Sequence, residues 1–147
     1  GAASFRPVEH RLEFVREVKG VRYYNDSKAT TPAAALMAIA AIAGPLWIIL
    51  GGKDKGLDFT PLRAALSGRT RAVLLVGQDA PKIAAALQGA VPLVEAGTVD
   101  AAVRYANERA QAGETVLLTP GCTSWDQFKN FEERGRLFKK TVEELGG

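Results

Sequence analysis

The chain has 147 residues, of which 47% are hydrophobic and 24% charged, and its formal net charge is +3. These proportions are typical of one soluble globular domain with a sizeable core, and no apolar run approaches the roughly 20 residues of a membrane-spanning helix. The single cysteine, Cys122, excludes an internal disulfide and favours a reducing, cytoplasmic location. No signal-peptide pattern is present. We interpret residues 1–4 as a linker end or cloning remnant and expect the domain to fill residues 5–147.

Short β-type runs alternate with helical segments along the chain. Residues 10–26 predict two strands that meet at a turn, Lys19-Gly20. Four more strands are predicted at 46–50, 71–76, 91–96 and 115–119. Three of these are continuous apolar runs, which is typical of strands covered on both faces. The sequence therefore predicts an α/β fold: a Rossmann-like, open and mostly parallel sheet of about six strands, with one antiparallel edge and helices on both faces.

Helix starts are marked by proline behind a hydroxyl residue. Thr31-Pro32 and Thr60-Pro61 each predict a capping threonine followed by proline in the first turn. The last helix should carry its aromatic residues on one buried stripe. Gly135 lies on the same face, so we expect a neighbouring backbone to pack closely against it.

Polar residues follow three of the predicted strands, at 25–30, 51–56 and 120–125. In open α/β sheets, ligands gather at the carboxyl ends of the strands. These three loops offer lysines, hydroxyl groups and helix N-terminal amides, a combination that suits carboxylates or phosphates. The sequence therefore predicts an anion pocket at this edge of the sheet.

Simpler interpretations of these loops remain open. Asp26, Ser27 and Thr30 could be turn and cap residues only, and the GGKDKG segment at 51–56 could be a flexible turn. That segment matches neither a Walker A loop nor a dinucleotide-binding fingerprint. Arg11 could be a surface residue or could contact a nucleotide.

Three other features are assigned structural roles. Cys122 is expected to be a buried, unreactive thiol, because the only histidine, His10, lies far away in the sequence. Arg134 and Asp126 are interpreted as a cap and a salt-bridge partner near the start of the last helix. One histidine, one cysteine and scattered acids show no metal-ligand spacing, so no metal site is predicted.

The basic balance could serve an anionic small ligand as well as a nucleic acid, since the pI is about 9.2. Lysines and arginines are interleaved with acids, above all along 129–144, which is typical of a solvated helix face. The sequence has no aromatic and basic platform of the kind that stacks single-stranded bases. We therefore expect no nucleic-acid partner and no membrane partner.

Four motifs occur in one order along the chain: HRLE, NDSKAT, GGKDKG followed by DF, and TPGCTSWDQFKNFEERGRLF. Together they resemble the carboxy-terminal domain of the Mur ligase family, and within it the members that add D-glutamate during peptidoglycan synthesis. The resemblance covers the chain from Phe5 onward. It implies an ATP-dependent ligase of three domains that acts through an acyl phosphate.

That resemblance implies which ligands the complete enzyme uses. The other two domains would hold UDP-N-acetylmuramoyl-L-alanine, ATP and Mg²⁺, and neither a P-loop nor a UDP-sugar domain is found in this chain. The resemblance therefore predicts a chain that is inactive alone and binds no cofactor tightly by itself.

The family motifs also assign residues to the D-glutamate site. Lys55 and Thr30 would hold one carboxylate of D-glutamate. Ser124 would hold the other, together with the backbone around Phe131. An ammonium group with hydroxyl and amide donors suits a dianionic amino acid.

A second set of residues would face the nucleotide when the domains close. The resemblance assigns Arg11, Asp26 and Lys28 to ATP binding, and Asp26 and Lys28 to catalysis, with Lys28 directed at the transferred phosphate. Cations beside an acyl phosphate stabilise charge that grows in the transition state. The alternative is a stand-alone Rossmann-like module for a nucleotide or phosphate.

Overall fold

The computed structural model describes residues 8–146, so the predicted linker end at residues 1–4 lies outside the described residues. The strands are β1 (Glu13–Val18), β2 (Val21–Asn25), β3 (Leu46–Gly51), β4 (Thr70–Val76), β5 (Leu93–Gly97) and β6 (Thr115–Leu118). The helices are α1 (Pro32–Ala41), α2 (Leu62–Leu66), α3 (Ala80–Leu87), α4 (Val99–Arg109) and α5 (Phe131–Glu143). Among the described residues, none of the helices combines the length and apolar character that a membrane crossing requires.

The six strands form one sheet in the order β1-β2-β6-β3-β4-β5. All neighbouring pairs are parallel except β1 and β2, which are antiparallel at one edge. The predicted fold is confirmed. Leu118 of β6 lies level with Asn25 of β2 and with Ile49 of β3. The loops that follow β2, β6 and β3 therefore leave the sheet side by side.

Both faces of the sheet are covered, as the continuous apolar strands predicted. Every residue of β3 is buried. Trp47 and Ile49 point into the core beneath α4 and α5, whereas Leu46, Ile48 and Leu50 point into the core beneath α1, α2 and α3. The alternation follows from the two-residue period of a strand, and it anchors the loop after β3 from both sides.

The two predicted threonine caps have different outcomes. Thr31 is the N-cap of α1, and its Oγ1 accepts a hydrogen bond of 3.1 Å from the backbone of Ala34. The prediction for Thr60 is wrong, since α2 begins only at Leu62 and has no side-chain cap. The Thr60 hydroxyl instead donates to the carboxylate of Asp58, 2.8 Å away. A nearby acid competes successfully for the hydroxyl.

Arginines from other elements complete three helix C-termini, which carry unpaired carbonyls and a partial negative charge. Arg69 donates to carbonyls at the end of α1, including that of Ile39 at 3.0 Å. Arg63 donates to the carbonyls of Ala86 and of Gln88, at the end of α3. Arg16 of β1 donates to three carbonyls at the end of α5, at 3.0 to 3.1 Å.

Candidate functional site

The three polar loops are joined to one another by backbone hydrogen bonds. The amide of Gly121 donates to the carbonyl of Ala29, 2.8 Å away, which connects the loops after β6 and β2. Lys53 and Thr123 form an isolated antiparallel bridge with hydrogen bonds of 3.0 and 2.9 Å, which connects the loops after β3 and β6. The three loops therefore form one continuous surface.

Asp26 is buried directly after β2 and both of its carboxylate oxygens accept hydrogen bonds. Leu12 donates its backbone amide to Oδ1 at 3.0 Å, and Thr119 donates its hydroxyl to Oδ2 at 2.9 Å. Burial raises the pKa of Asp26, while the two hydrogen bonds and the charge of Arg11 act in the opposite direction. Asp26 thus ties the segment before β1 to the loop after β6.

The segment that carries Arg11 is held against the loop after β2. On one side of Arg11, the carbonyl of His10 accepts from the amide of Lys28 at 2.9 Å, and on the other side Leu12 donates to Asp26. His10 and Leu12 have φ values of +68° and +42°. This left-handed backbone costs non-glycine residues about 1–2 kcal/mol each, and the two tethers maintain it.

The residues assigned to the nucleotide meet at a cleft of about 400 Å³ between this segment and α1. Arg11, Asp26 and Lys28 form its polar side, and Met37 of α1, which is 75% exposed, lies on its apolar side. Arg11 and Lys28 are exposed, and neither forms a salt bridge within residues 8–146. The cleft therefore offers two cations beside an apolar wall.

Lys55 lies in the loop after β3, in a turn that is organised by Asp54. The Asp54 carboxylate accepts from the amides of Gly56 and Leu57, at 2.9 and 3.2 Å, and pairs with Lys82. Lys55 itself is exposed and has no acidic partner in the described part of the chain. Asp54 thus pairs with Lys82 of α3 and leaves Lys55 available to a ligand.

Ser124 and Phe131 lie at the two ends of the segment that joins β6 to α5. Ser124 is 2% exposed, and its hydroxyl makes no hydrogen bond to a described residue. Phe131 is the first residue of α5, and the N-cap Asn130 accepts from Glu133 at 2.8 Å. The amide of Phe131 belongs to the first turn, where helices have N–H groups without intrahelical partners.

The two predicted sets of residues are placed differently. The structure brings Arg11, Asp26 and Lys28 together around one cleft. Thr30, Lys55, Ser124 and Phe131 are instead distributed over the three adjoining loops and the first turn of α5.

The interpretation of Arg134 and Asp126 as a cap and a salt-bridge partner is wrong. Arg134 is 2% exposed and donates to Ser27 and to the carbonyl of Cys122, at 2.8 to 3.1 Å. Asp126 accepts from the amide of Gln78, 2.7 Å away, in the loop after β4. A sequence signal for the burial of Arg134 does exist, because it lies three residues after Phe131 and four before Phe138, on the apolar stripe of α5.

His10 and Cys122 both have structural positions. His10 precedes β1, packs edge-on against Phe131 and lies over Gly135. The predicted close approach at Gly135 is present, but the near neighbour is this imidazole and not a backbone. Cys122 is 1% exposed, and burial raises its pKa to about 12. The prediction that this thiol is buried is confirmed, and its raised pKa disfavours the reactive thiolate.

Glu9, His10 and Glu13 offer possible metal-ligand atoms within 4.8 Å of one another. Lys139 already lies between the two acids, with its Nζ 2.6 Å from Glu9 and 3.1 Å from Glu13. Asn25 donates its amide to His10 Nδ1 at 2.9 Å, so the ring proton is on Nε2, which is then not a metal ligand. The cluster is an ion-pair network around an ammonium group.

Comparison with known proteins places these features in a family. The model of the Mur ligase glutamate ligase domain matches residues 10–122. A UDP-N-acetylmuramoylalanine–D-glutamate ligase of Solibacter usitatus is 58% identical over 142 residues, which are 97% of this chain and 32% of that protein. The corresponding ligase of Pseudomonas aeruginosa is 55% identical over 97% of this chain and 33% of its own length.

Solved structures show the same fold at low sequence identity. MurF ligase from Thermotoga maritima, in complex with ADP, has a TM-score of 0.65 and 19% identity over 97% of this chain and 33% of its own. Escherichia coli FolC, also in complex with ADP, has a TM-score of 0.64 and 19% identity over 95% of this chain and 33% of its own. The chain thus spans about a third of the length of the relatives it matches. It belongs to the Mur ligase family, in which it corresponds to the glutamate ligase domain.

Proposed function

We propose that residues 5–147 form the carboxy-terminal domain of an ATP-dependent ligase that adds D-glutamate to UDP-N-acetylmuramoyl-L-alanine in peptidoglycan precursor synthesis. The observation that carries the proposal is the joined surface of three loops, on which Lys28 and Lys55 have no acidic partner among the described residues. The relatives that are 58% and 55% identical bear the name of this activity. The UDP-sugar and ATP-binding domains would lie outside this chain.

In the proposed reaction, this domain presents the incoming amino acid. Lys55 and Thr30 hold one carboxylate of D-glutamate, while Ser124 and the amide of Phe131 hold the other. The Ser124 hydroxyl makes no hydrogen bond to a described residue, so it can donate to a ligand without breaking an existing contact. Fixing both carboxylates orients the amine toward the reacting carbonyl, which lowers the entropic cost of the attack.

The same domain completes the nucleotide site by supplying cations. ATP transfers its terminal phosphate to the substrate carboxylate, and the amine then displaces that phosphate to form an amide. Lys28 and Arg11 stabilise the negative charge that moves onto the phosphate oxygens. Asp26 keeps Arg11 in position through its hydrogen bond with Leu12.

Mg²⁺ is assigned to the rest of the ligase. Asp26 is the acid that lines the cleft, and both of its oxygens accept hydrogen bonds from this chain. Its environment therefore does not fit a metal ligand. Cytoplasmic location is part of the proposal, and the buried, reduced Cys122 is compatible with it.

Heteronuclear NMR titration of the 147-residue chain tests the assignment, with D-glutamate, L-glutamate and ATP as ligands. We expect D-glutamate shifts to cluster at Thr30, Lys55, Ser124 and Phe131. Changing Lys55→Met or Ser124→Ala should weaken D-glutamate binding about tenfold, equal to about 1.4 kcal/mol, without unfolding the domain.

The matched controls are Lys140→Met and Ser67→Ala, which remove the same groups at exposed positions outside the three loops. Unchanged affinity in both site variants would refute the D-glutamate assignment. Tight binding of ATP to the isolated chain, with shifts confined to the Arg11 cleft, would favour the stand-alone nucleotide module instead.

A further inference from the structure

Arg134 lies where the three loops converge. Its Nε donates to Ser27 Oγ at 2.9 Å, its Nη2 to the Ser27 carbonyl at 2.8 Å and its Nη1 to the Cys122 carbonyl at 3.1 Å. A methyl group at Gly52, in the loop after β3, would lie 3.4 Å from Nη1. One guanidinium thus contacts the loops after β2 and β6 and lies beneath the loop after β3.

The contacts of Arg134 extend to the start of α5. Ser27 Oγ accepts from Arg134 and donates onward to the carbonyl of Phe131 at 2.7 Å. Ser27 precedes Thr30 by three residues, and Cys122 precedes Ser124 by two. Arg134 therefore bonds directly to the chain shortly before Thr30 and Ser124, and through the Ser27 hydroxyl to the carbonyl of Phe131.

No acid among residues 8–146 lies within salt-bridge distance of Arg134, although the more distant charge of Asp126 raises the pKa of Arg134. Its hydrogen-bond partners are one hydroxyl and two carbonyls. Burial lowers the pKa of Arg134 to about 10, so the group remains charged at neutral pH. A buried cation is ordinarily paired with an acid because its desolvation is costly. An anionic ligand bound at these loops would add negative charge near Arg134, beside that of the more distant Asp126.

We propose that Arg134 is a positioning residue for the amino-acid site. Its planar fork holds the loops after β2 and β6 at a fixed separation, and its charge, which has no acid in direct contact, favours a dianionic ligand over a neutral one. The inference rests on the proposed function only for the identity of that ligand. Lysine could not replace the guanidinium group of Arg134. A single ammonium group on a flexible stem cannot make both bonds to Ser27 and the bond to Cys122 at the same time.

Amide hydrogen exchange of the 147-residue chain tests the positioning without any ligand. In Arg134→Met, the amides of Gly121 and Thr123, which bond across the loops, should exchange at least tenfold faster, while that of Ile48 in β3 should not change. Arg16→Met is the matched control, because it removes three bonds to carbonyls at the opposite end of α5. Wild-type protection of Gly121 and Thr123 in Arg134→Met would overturn the proposal.

Arg134→Lys keeps the charge and serves if the methionine variant does not fold. We expect it to fold and still to exchange Gly121 and Thr123 faster than the wild type, because the fork is lost. Full protection of both amides in the lysine variant would show that charge or volume alone is sufficient, which would overturn the positioning role.

D-Glutamate titration of the same variants separates this inference from the proposed function. We expect about tenfold weaker binding in Arg134→Lys and unchanged binding in Arg16→Met. If the wild type binds D-glutamate and Arg134→Lys binds it equally well, the role of Arg134 is refuted and the D-glutamate assignment stands. If the loops loosen in Arg134→Lys while the wild type binds no D-glutamate, the positioning role stands and the ligand assignment fails.

Discussion

Gly135 of α5 lies directly against His10 in the segment before β1, so Gly135→Ala is an informative perturbation. An added Cβ would lie 2.1 Å from His10 Nδ1 and 2.7 Å from His10 Cε1. A Cβ in ordinary van der Waals contact lies 3.4–4 Å from the neighbouring heavy atom. The imidazole would therefore have to move by about 1.3 Å, the difference between 3.4 and 2.1 Å.

The expected cost follows from what that movement breaks. Alanine is about 1 kcal/mol better than glycine inside a helix, which favours the variant. Against this, displacement of His10 breaks its 2.9 Å bond with Asn25, and a buried donor without its partner costs about 1–3 kcal/mol. Loss of edge-on packing against Phe131 adds about 0.5–1.5 kcal/mol. We expect a net loss of about 0.5–3.5 kcal/mol in the free energy of unfolding.

Thermal unfolding measures this change directly. In a domain of this size, 1 kcal/mol corresponds to about 3 °C, so Tm should fall by about 2–10 °C. Gly146→Ala is the control, since a Cβ there meets nothing within 4 Å. The amide of Lys28 should also exchange faster, because its acceptor is the carbonyl of His10. A Tm equal to or above that of the wild type would show that His10 is not confined as described.

Three further predictions concern stability. The pKa of Asp26 is raised above 3.8 in the folded state, so the folded chain binds more protons than the unfolded chain and the free energy of unfolding falls as pH rises above about 3.8. Asp26→Asn should remove that fall in urea titrations. An unchanged dependence of the free energy of unfolding on pH would contradict the prediction. Glu114→Ala should lower the free energy of unfolding by about 2–4 kcal/mol, because the buried indole of Trp47 and the backbone amide of Gln111 lose their acceptor. Glu17→Ala, at an exposed position, should cost under about 0.5 kcal/mol. Equal losses in the two variants would refute this. Thr31→Ala should lower the free energy of unfolding by about 1 kcal/mol through the lost cap, and Thr60→Ala by distinctly less. A lower Tm for Thr60→Ala than for Thr31→Ala in thermal melts would contradict this ranking.

The strands and their burial could be predicted from local pattern. Residues 46–50, 71–76 and 115–119 are short apolar runs, and they became β3, β4 and β6 with shifts of one residue at most. Because both faces of these strands are covered by helices, nearly every position is apolar, apart from Thr70, Arg71 and Thr115 at the strand starts, and the pattern carries that requirement. The loops after the strands could be predicted because they are polar. They leave the sheet at its edge, where helices do not cover them, so their residues need not be apolar.

The contacts within the candidate site could not be predicted in the same way. Nothing local indicates that β6 lies between β2 and β3, so the adjacency of the three loops depended on the sheet order. Arg134 was interpreted from its position near a helix start, although its place on the apolar stripe of α5 pointed to burial. His10 adopts a left-handed backbone because of tethers to residues 15 or more positions away, which a local pattern does not record.

The position of β6 in the middle of the sheet constrains how the chain folds during synthesis. The β1–β2 hairpin and the group β3-β4-β5 are complete before residue 115 leaves the ribosome, yet they share no direct strand pairing. Until β6 arrives, β2 and β3 each present an open edge, and open edges invite pairing with other chains. Pairing of β6 with both β2 and β3 therefore closes the sheet of the nascent domain. A chain that is stopped before Thr115 should aggregate.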